Sequence, residues 1–236
     1  MNQSNRTPLI AAIGGGIVGA ALTGAGMVLA GPSLFGERLV RDALVSSPEM
    51  LVEAGQALQE RQHAKSLDPI RAAVERPFYS SWKGAAKPEV TLVYFYDYAC
   101  PYCHKANPDL ERLLKEDKGL RVVYRELPIL GPQSVDAARV SLAASKAGKF
   151  AAFYEALYVA GRPTPQSIAL AARAAGVPAQ PTEDPAQEAE LKSNMTLASQ
   201  LGATGAPLFV VGDRVINAAV GYDALKEAVA AAREKA

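Results

Sequence analysis

From Glu89 to Tyr98 the chain reads EVTLVYFYDY, a nearly unbroken run of β-branched and aromatic residues. A half-buried strand alternates apolar with polar positions, so a run without alternation fits a strand covered on both faces. Directly after it, Lys105 to Asp117 carries Leu110, Leu113 and Leu114 at helical spacing. A strand therefore gives way to a helix within Ala99–His104. Leu120 to Leu127 reads as a second strand. Helical patterns follow near 134–146, 149–160, 165–176 and 186–202, with Ser134 and Thr164 as starts and Gly148, Gly161 and Gly176 as breaks. Pro207 to Val211 reads as a strand, Gly212-Asp213 as a two-residue turn, and Arg214 to Ile216 as the returning strand. Tyr222 to Glu234 closes the pattern as a helix. The order β-α-β, helices, β-β-α predicts an α/β domain over 85–236 with a helical insertion over about 134–202.

Two other segments precede this domain. Between Arg6 and Glu37 there is no charged residue, and Pro8 to Ala30 reads PLIAAIGGGIVGAALTGAGMVLA. A transmembrane helix needs about 20 apolar residues, which this segment supplies. Gly15 and Gly19 form a GxxxG pair, a low-specificity signal in so glycine-rich a stretch. A cleaved signal peptide is the competing reading, with Val28-Leu29-Ala30 as its cleavage site. Its apolar region would be about 7–15 residues, however, so length favours an uncleaved anchor. Arg6 and the amino terminus place residues 1–7 in the cytoplasm by the positive-inside rule. Either reading puts the remainder outside, where disulfides persist.

Residues 37–76 then read as a helical stalk. Leu39, Val40, Ala43 and Leu44 repeat with helical spacing, and Ser47-Pro48-Glu49 restarts a helix. Met50, Leu51, Ala54 and Leu58 give the second helix an apolar stripe that must be covered, by the domain or by other copies of the chain. Pro77 and the polar run around Ser80, Ser81 and Lys83 read as a linker.

Composition narrows the function. Of 236 residues 49% are hydrophobic and the formal net charge is +1. That is enough apolar material for a sizeable core, and it lacks the basic excess of a nucleic-acid binder. The aromatic residues are few and scattered, without a stacking platform. The two cysteines, Cys100 and Cys103, stand three apart, so no disulfide framework exists beyond this pair.

The chemistry gathers where the strand meets the helix. Pro101 suits the first helical position, because the N–H it lacks has no helical partner there. Cys100 then sits at the helix N-terminus, where free backbone N–H groups and the positive dipole end favour a thiolate. The thiolate is the attacking form of a cysteine. Cys103 lies on the same helical face, with Cβ atoms ~5–6 Å apart in a regular helix, and a small adjustment allows a disulfide. Cys103 is expected to be the more buried partner and to resolve the mixed disulfide. Structural zinc wants four ligands; here there is one pair, and His104, adjacent to Cys103, points elsewhere on a helix. No metal and no cofactor are expected. Asp97 and Glu126 are candidate proton-transfer groups, each with a plainer reading, which we prefer, as a solvated or capping carboxylate.

The segments YFYDYACPYCHKANPDL (94–110), YRELPILGPQS (124–134) and GATGAPLFVVGDRVINAAVGYDAL (202–225) resemble the DsbA-like family of thiol–disulfide oxidoreductases. The resemblance covers about 85–236 in the right order. It implies a thioredoxin fold with a helical insertion, and a cis peptide bond at Ala206-Pro207, where relatives often carry Thr or Val before the proline. It also implies that Ala206, Pro207, Pro101 and Tyr102 contact substrate, the Ala206 backbone pairing with an extended chain. The stalk segment VRDALVSSPEMLVEAGQALQERQ (40–62) resembles the region ahead of the catalytic domain in suppressor-of-copper-sensitivity C type proteins, where it can mediate self-association. The implied activity is disulfide formation in extracytoplasmic proteins, from the inner membrane or as a soluble periplasmic protein. Its partners would be reduced or unfolded proteins and a membrane or periplasmic redox partner. Disulfide isomerisation, client-specific reduction, or binding without turnover by a tethered chaperone are the alternatives.

Overall fold

The computed structural model describes residues 36–181 and 184–235. The expected membrane span over 8–30, and residues 1–7 before it, lie outside the described residues. Among the described residues no helix is long and apolar enough to cross a membrane. The chain divides into two units, Met1–Leu58 and Gln59–Ala236.

The first unit contains helix α1 (Gly36–Ser46) and the start of α2 (Glu49–Leu67), with the break at Ser47-Pro48 where the pattern places it. The apolar positions of these helices are exposed: Leu39, Val40, Met50, Leu51 and Leu58 all face solvent. A second break was not foreseen. Helix α2 stops at Leu67 and a short α3 spans Arg71–Glu75. Pro69 accounts for it, because proline excludes the residue before it from helical geometry.

The second unit is built on a five-stranded sheet of order β1-β3-β2-β4-β5. Strand β2 (Val90–Tyr96) is central. It runs parallel to β3 (Leu120–Glu126), with Tyr96 opposite Glu126. On its other side β4 (Leu208–Val211) lies antiparallel, Phe95 opposite Leu208, and β4 turns through Gly212-Asp213 into β5 (Arg214–Ile216). Strand β1 (Trp82–Gly84) pairs antiparallel with the outer edge of β3. The polar run read as a linker thus ends in an edge strand. Its partner supplies the reason: β3 has backbone groups to satisfy, and Arg121 lies over the Trp82 ring. Gly84 sits at φ +99, and a Cβ there would come within 2.3 Å of the Leu120 carbonyl oxygen, so only glycine permits this pairing.

Both faces of β2 are covered, as its unbroken run predicts. Leu92, Tyr94 and Tyr96 enter one core, with α4 (Pro101–Glu116), α6 (Phe150–Ala160), α7 (Pro165–Ala175) and α9 (Tyr222–Glu234). Val93 and Phe95 enter the other, with Leu67, Val74 of α3 and Leu197 of α8 (Pro185–Gln200). Helix α5 (Pro132–Lys146) begins at Pro132, two residues before the expected start at Ser134. Gly131 occupies its N-cap position, and Pro132 suits the first turn for the reason given for Pro101. Thr164 does cap α7, in a capping box with Ser167.

The second core encloses one cation. Arg125 is 3% exposed. Its guanidinium donates to the carbonyls of Ala73, Val74 and Arg76, to Asn194 Oδ1 at 2.5 Å and to Glu190 Oε1 at 2.9 Å. This clasp ties α3, with the residue after it, and helix α8 to the sheet.

Candidate redox site

Strand β2 ends at Tyr96, and the chain must turn while still inside the protein. Asp97 makes that turn. Its carboxylate, 1% exposed, accepts from Ala99 N at 2.7 Å through Oδ1, and from Ile129 N and Leu130 N at 2.9 Å through Oδ2. Its carbonyl accepts from Cys100 N at 3.0 Å. One side chain therefore binds the loop after β2 to the loop after β3. The reading of Asp97 as solvated is corrected; it caps a turn, but from the interior. Glu126, also 1% exposed, is likewise not solvated: the end of β3 points it beneath the same loop.

Helix α4 starts directly after this turn. Cys100 holds the N-cap position and Pro101 the first helical one. Both thiols are free; Cys100 is 4% exposed and Cys103 0%. Cys103 leads the buried stripe of α4, followed by Ala106, Leu110 and Leu113. Burial pushes its thiol up to about 12, with Cys100 adding to the rise and hydrogen bonds from the Asp97 backbone and Tyr94 opposing it. The His104 Nε2 lies 2.9 Å from the Tyr98 carbonyl oxygen. That oxygen only accepts, so Nε2 carries the proton.

The peptide bond Ala206-Pro207 is cis, and the Cys100 thiol donates to the Ala206 carbonyl at 3.2 Å. Tyr102, 64% exposed, joins Thr204, Gly205, Ala206, Pro207 and residues 217–219 in lining a groove of about 410 Å³. The fold thus brings Cys100, with Cys103 behind it, against Ala206, while Tyr102, Ala206 and Pro207 line the groove; Pro101 and the two cysteines are not among its lining residues. Thr204, Gly205 and Asn217 were not anticipated. Behind the site, tyrosines scattered in the sequence gather into one cluster. Tyr94 stacks on Phe209 at 4.9 Å, and Tyr154 packs on Tyr96, Tyr124 and Tyr158.

A family model described as the DSBA-like thioredoxin domain matches residues 91–230. The chain belongs to this family. With paired thiols at the start of α4, this DSBA-like chain is a protein thiol–disulfide oxidoreductase. It is similar to a periplasmic thioredoxin-like protein from Salmonella enterica serovar Typhimurium, at 33% identity and TM-score 0.65, over 70% of this chain and 96% of that one. A thioredoxin-like oxidoreductase from Silicibacter pomeroyi shares 38% identity at TM-score 0.62, over 66% and 92% of the two chains. Proteus mirabilis ScsC in a transitional conformation shares 31% identity at TM-score 0.66, over 85% and 96%. A Salinispora tropica protein named Na(+)/H(+) antiporter NhaA 3 is 36% identical over 70 residues. That match spans 29% of this chain and only 11% of the antiporter's length.

Asp97 supplies a first test of how the DSBA-like loop is held. Asp97→Asn keeps the size but replaces one acceptor with a donor facing backbone N–H groups. Leaving buried donors unmatched costs roughly 1–3 kcal/mol. Urea denaturation is expected to show a loss of about 2 kcal/mol, together with slower thiol exchange; unchanged stability would show that the carboxylate does not hold the loop.

Proposed function

We propose that the protein forms disulfides in extracytoplasmic proteins, with Cys100 as the nucleophilic sulfur and Cys103 as its buried partner. One observation carries this reading: the two thiols are inequivalent, Cys100 bonded to the Ala206 carbonyl at the groove and Cys103 fully enclosed, its thiol held protonated. In the oxidised protein a substrate thiolate attacks Cys100 Sγ. The Cys100–Cys103 bond breaks, and Cys103 leaves with the electron pair and takes up a proton. A protonated Cys103 attacks the mixed disulfide slowly. A second substrate thiolate therefore has time to attack the substrate's own sulfur, forming the substrate disulfide and expelling Cys100 as a thiolate. In this reading the reduced form is the favoured one, which makes the pair oxidising. The protein leaves this cycle reduced by two electrons, so a membrane or periplasmic redox partner must reoxidise it.

Tyr102, Ala206 and Pro207 would hold the substrate chain, the Ala206 backbone pairing with it as an added strand. The location rests on the apolar segment 8–30 and on the likeness to a periplasmic relative. In this reading residues 8–30 anchor the chain in the inner membrane, and the domain faces the periplasm.

Cys100→Ser and Cys103→Ser are each expected to abolish peptide oxidation, because neither variant can form the Cys100–Cys103 disulfide that the substrate thiolate attacks. Full turnover by Cys100→Ser would refute the assignment. The exposed apolar residues of α1 and α2 support a further element, self-association through the 37–76 helices. Light scattering on the protein is then expected to give a multiple of the chain mass. Leu51→Glu with Leu58→Glu should reduce it to a monomer, and a monomeric wild type would contradict it.

A further inference from the structure

Four buried oxygens behind the Cys100 loop form a closed ring. Tyr96 Oη lies 2.9 Å from Glu126 Oε1 and 3.1 Å from Tyr98 Oη. Tyr98 Oη lies 3.0 Å from Ser141 Oγ, which lies 2.7 Å from Glu126 Oε1. All four residues are 2% exposed or less. Each contact needs one proton between its two oxygens. Tyr96, Tyr98 and Ser141 supply three protons, and the four contacts need four. An ionised carboxylate only accepts, so with Glu126 charged one contact would set two oxygens together with no proton between them.

A proton on Glu126 Oε1 completes the ring. Glu126 then donates to Tyr96, Tyr96 to Tyr98, Tyr98 to Ser141, and Ser141 back to Glu126. Every ring oxygen donates once and accepts once. The other carboxyl oxygen agrees. Oε2 is buried without a hydrogen-bond partner among the described residues, where a carboxylate's charge would be unsolvated.

We propose that Glu126 holds a proton in the working protein and is the positioning residue for Tyr98, and through Tyr98 for the loop that carries Cys100. The second half rests on the assignment of Cys100 as nucleophile. Tyr98 stands two residues before Cys100, its carbonyl receives the His104 Nε2 proton, and its ring packs on Tyr154 and Tyr158.

The surroundings of Glu126 fit a neutral acid. Burial pushes its carboxyl up to about 7; hydrogen bonds from Ser141, its own backbone and Tyr96 oppose the rise, and Glu190 of α8 adds to it. Arg125, next in β3, attracts the carboxylate, but its guanidinium is engaged by Glu190, Asn194 and three carbonyls. Tyr96 and Tyr98 are themselves pushed up by burial, with Glu126 adding to both. Helix α5 contributes the neutral Ser141. With an ordinary value of 4.5 in the unfolded chain, the stabilisation from neutral Glu126 is complete below about 4.5. It is lost as pH rises to about 7, by about tenfold in the folding constant per pH unit. Above that, the ring has three protons for four contacts and Tyr98 is held less firmly.

The experiment is infrared titration of the full chain, following the carbonyl band of a protonated carboxylic acid. Wild type is expected to show the band near neutral pH and lose it as pH rises, and Glu126→Gln to lack it. Tyr98→Phe keeps the carboxyl and its burial but leaves two contacts and two protons, so an ionised Glu126 is satisfied; its band is expected to disappear at lower pH. Absence of the band in wild type at about pH 6, or an unmoved midpoint in Tyr98→Phe, overturns the protonated ring. The pH profile of Cys100 alkylation tests the positioning role. Wild type should show an inflection near 7 that Glu126→Gln lacks, and identical profiles overturn that role. The infrared result involves no thiol chemistry. A protein with the acid band and an inert Cys100 therefore overturns the nucleophile assignment and the positioning role together, leaving the protonated ring in place.

Discussion

The burial of β2 on both faces constrains the rest of the molecule. Its side chains alternate between two cores, so the strand can be left only at its end, and the chain there is still dry. Backbone groups in such a turn need partners other than water. Asp97 provides them for the loops after β2 and after β3 at once. Because the helix starts where this turn finishes, Cys100 falls at its N-cap and Cys103 one turn inward. The inequivalence of the two thiols follows from where the strand stops.

The same enclosure forces a choice on every ionisable group inside it. Arg125 and Glu126 are neighbours on β3 and, because strand side chains alternate, face opposite cores. Arg125 keeps its charge by engaging five oxygens. Glu126 has two hydroxyls against one oxygen and, among the described residues, no hydrogen-bond partner for the other, and in our reading it keeps a proton instead. One residue anchors α3 and its end; the other, in our reading, supports the tyrosine beneath the redox loop.

Much of this was legible in the sequence. The unbroken run of β2, the leucines of α4, the hairpin at Gly212-Asp213 and the final helix each carry a local periodicity or turn signal, and the spacing of Cys100 and Cys103 names its chemistry. The resemblance of three segments to one family supplied the cis bond at Ala206-Pro207. What escaped is non-local. Strand β1 exists because β3 has an open edge, and three polar-looking residues do not show that. Asp97 and Glu126 read as solvated or capping carboxylates, as most are; Asp97 does cap, but only the closing of the loops and of α5 over them puts both in the interior. The tyrosines look scattered because their spacing in sequence is unrelated to their meeting point. The starts at Pro132 and after Pro69 were missed although proline marked both.

The central claim is that the pair is oxidising, and the most direct measurement is its reduction potential, by equilibrating the full chain with glutathione. The account predicts a value near the oxidising end of the thiol–disulfide scale, about −120 mV. A value near about −270 mV, where thioredoxin lies, would contradict it and make the protein a reductant.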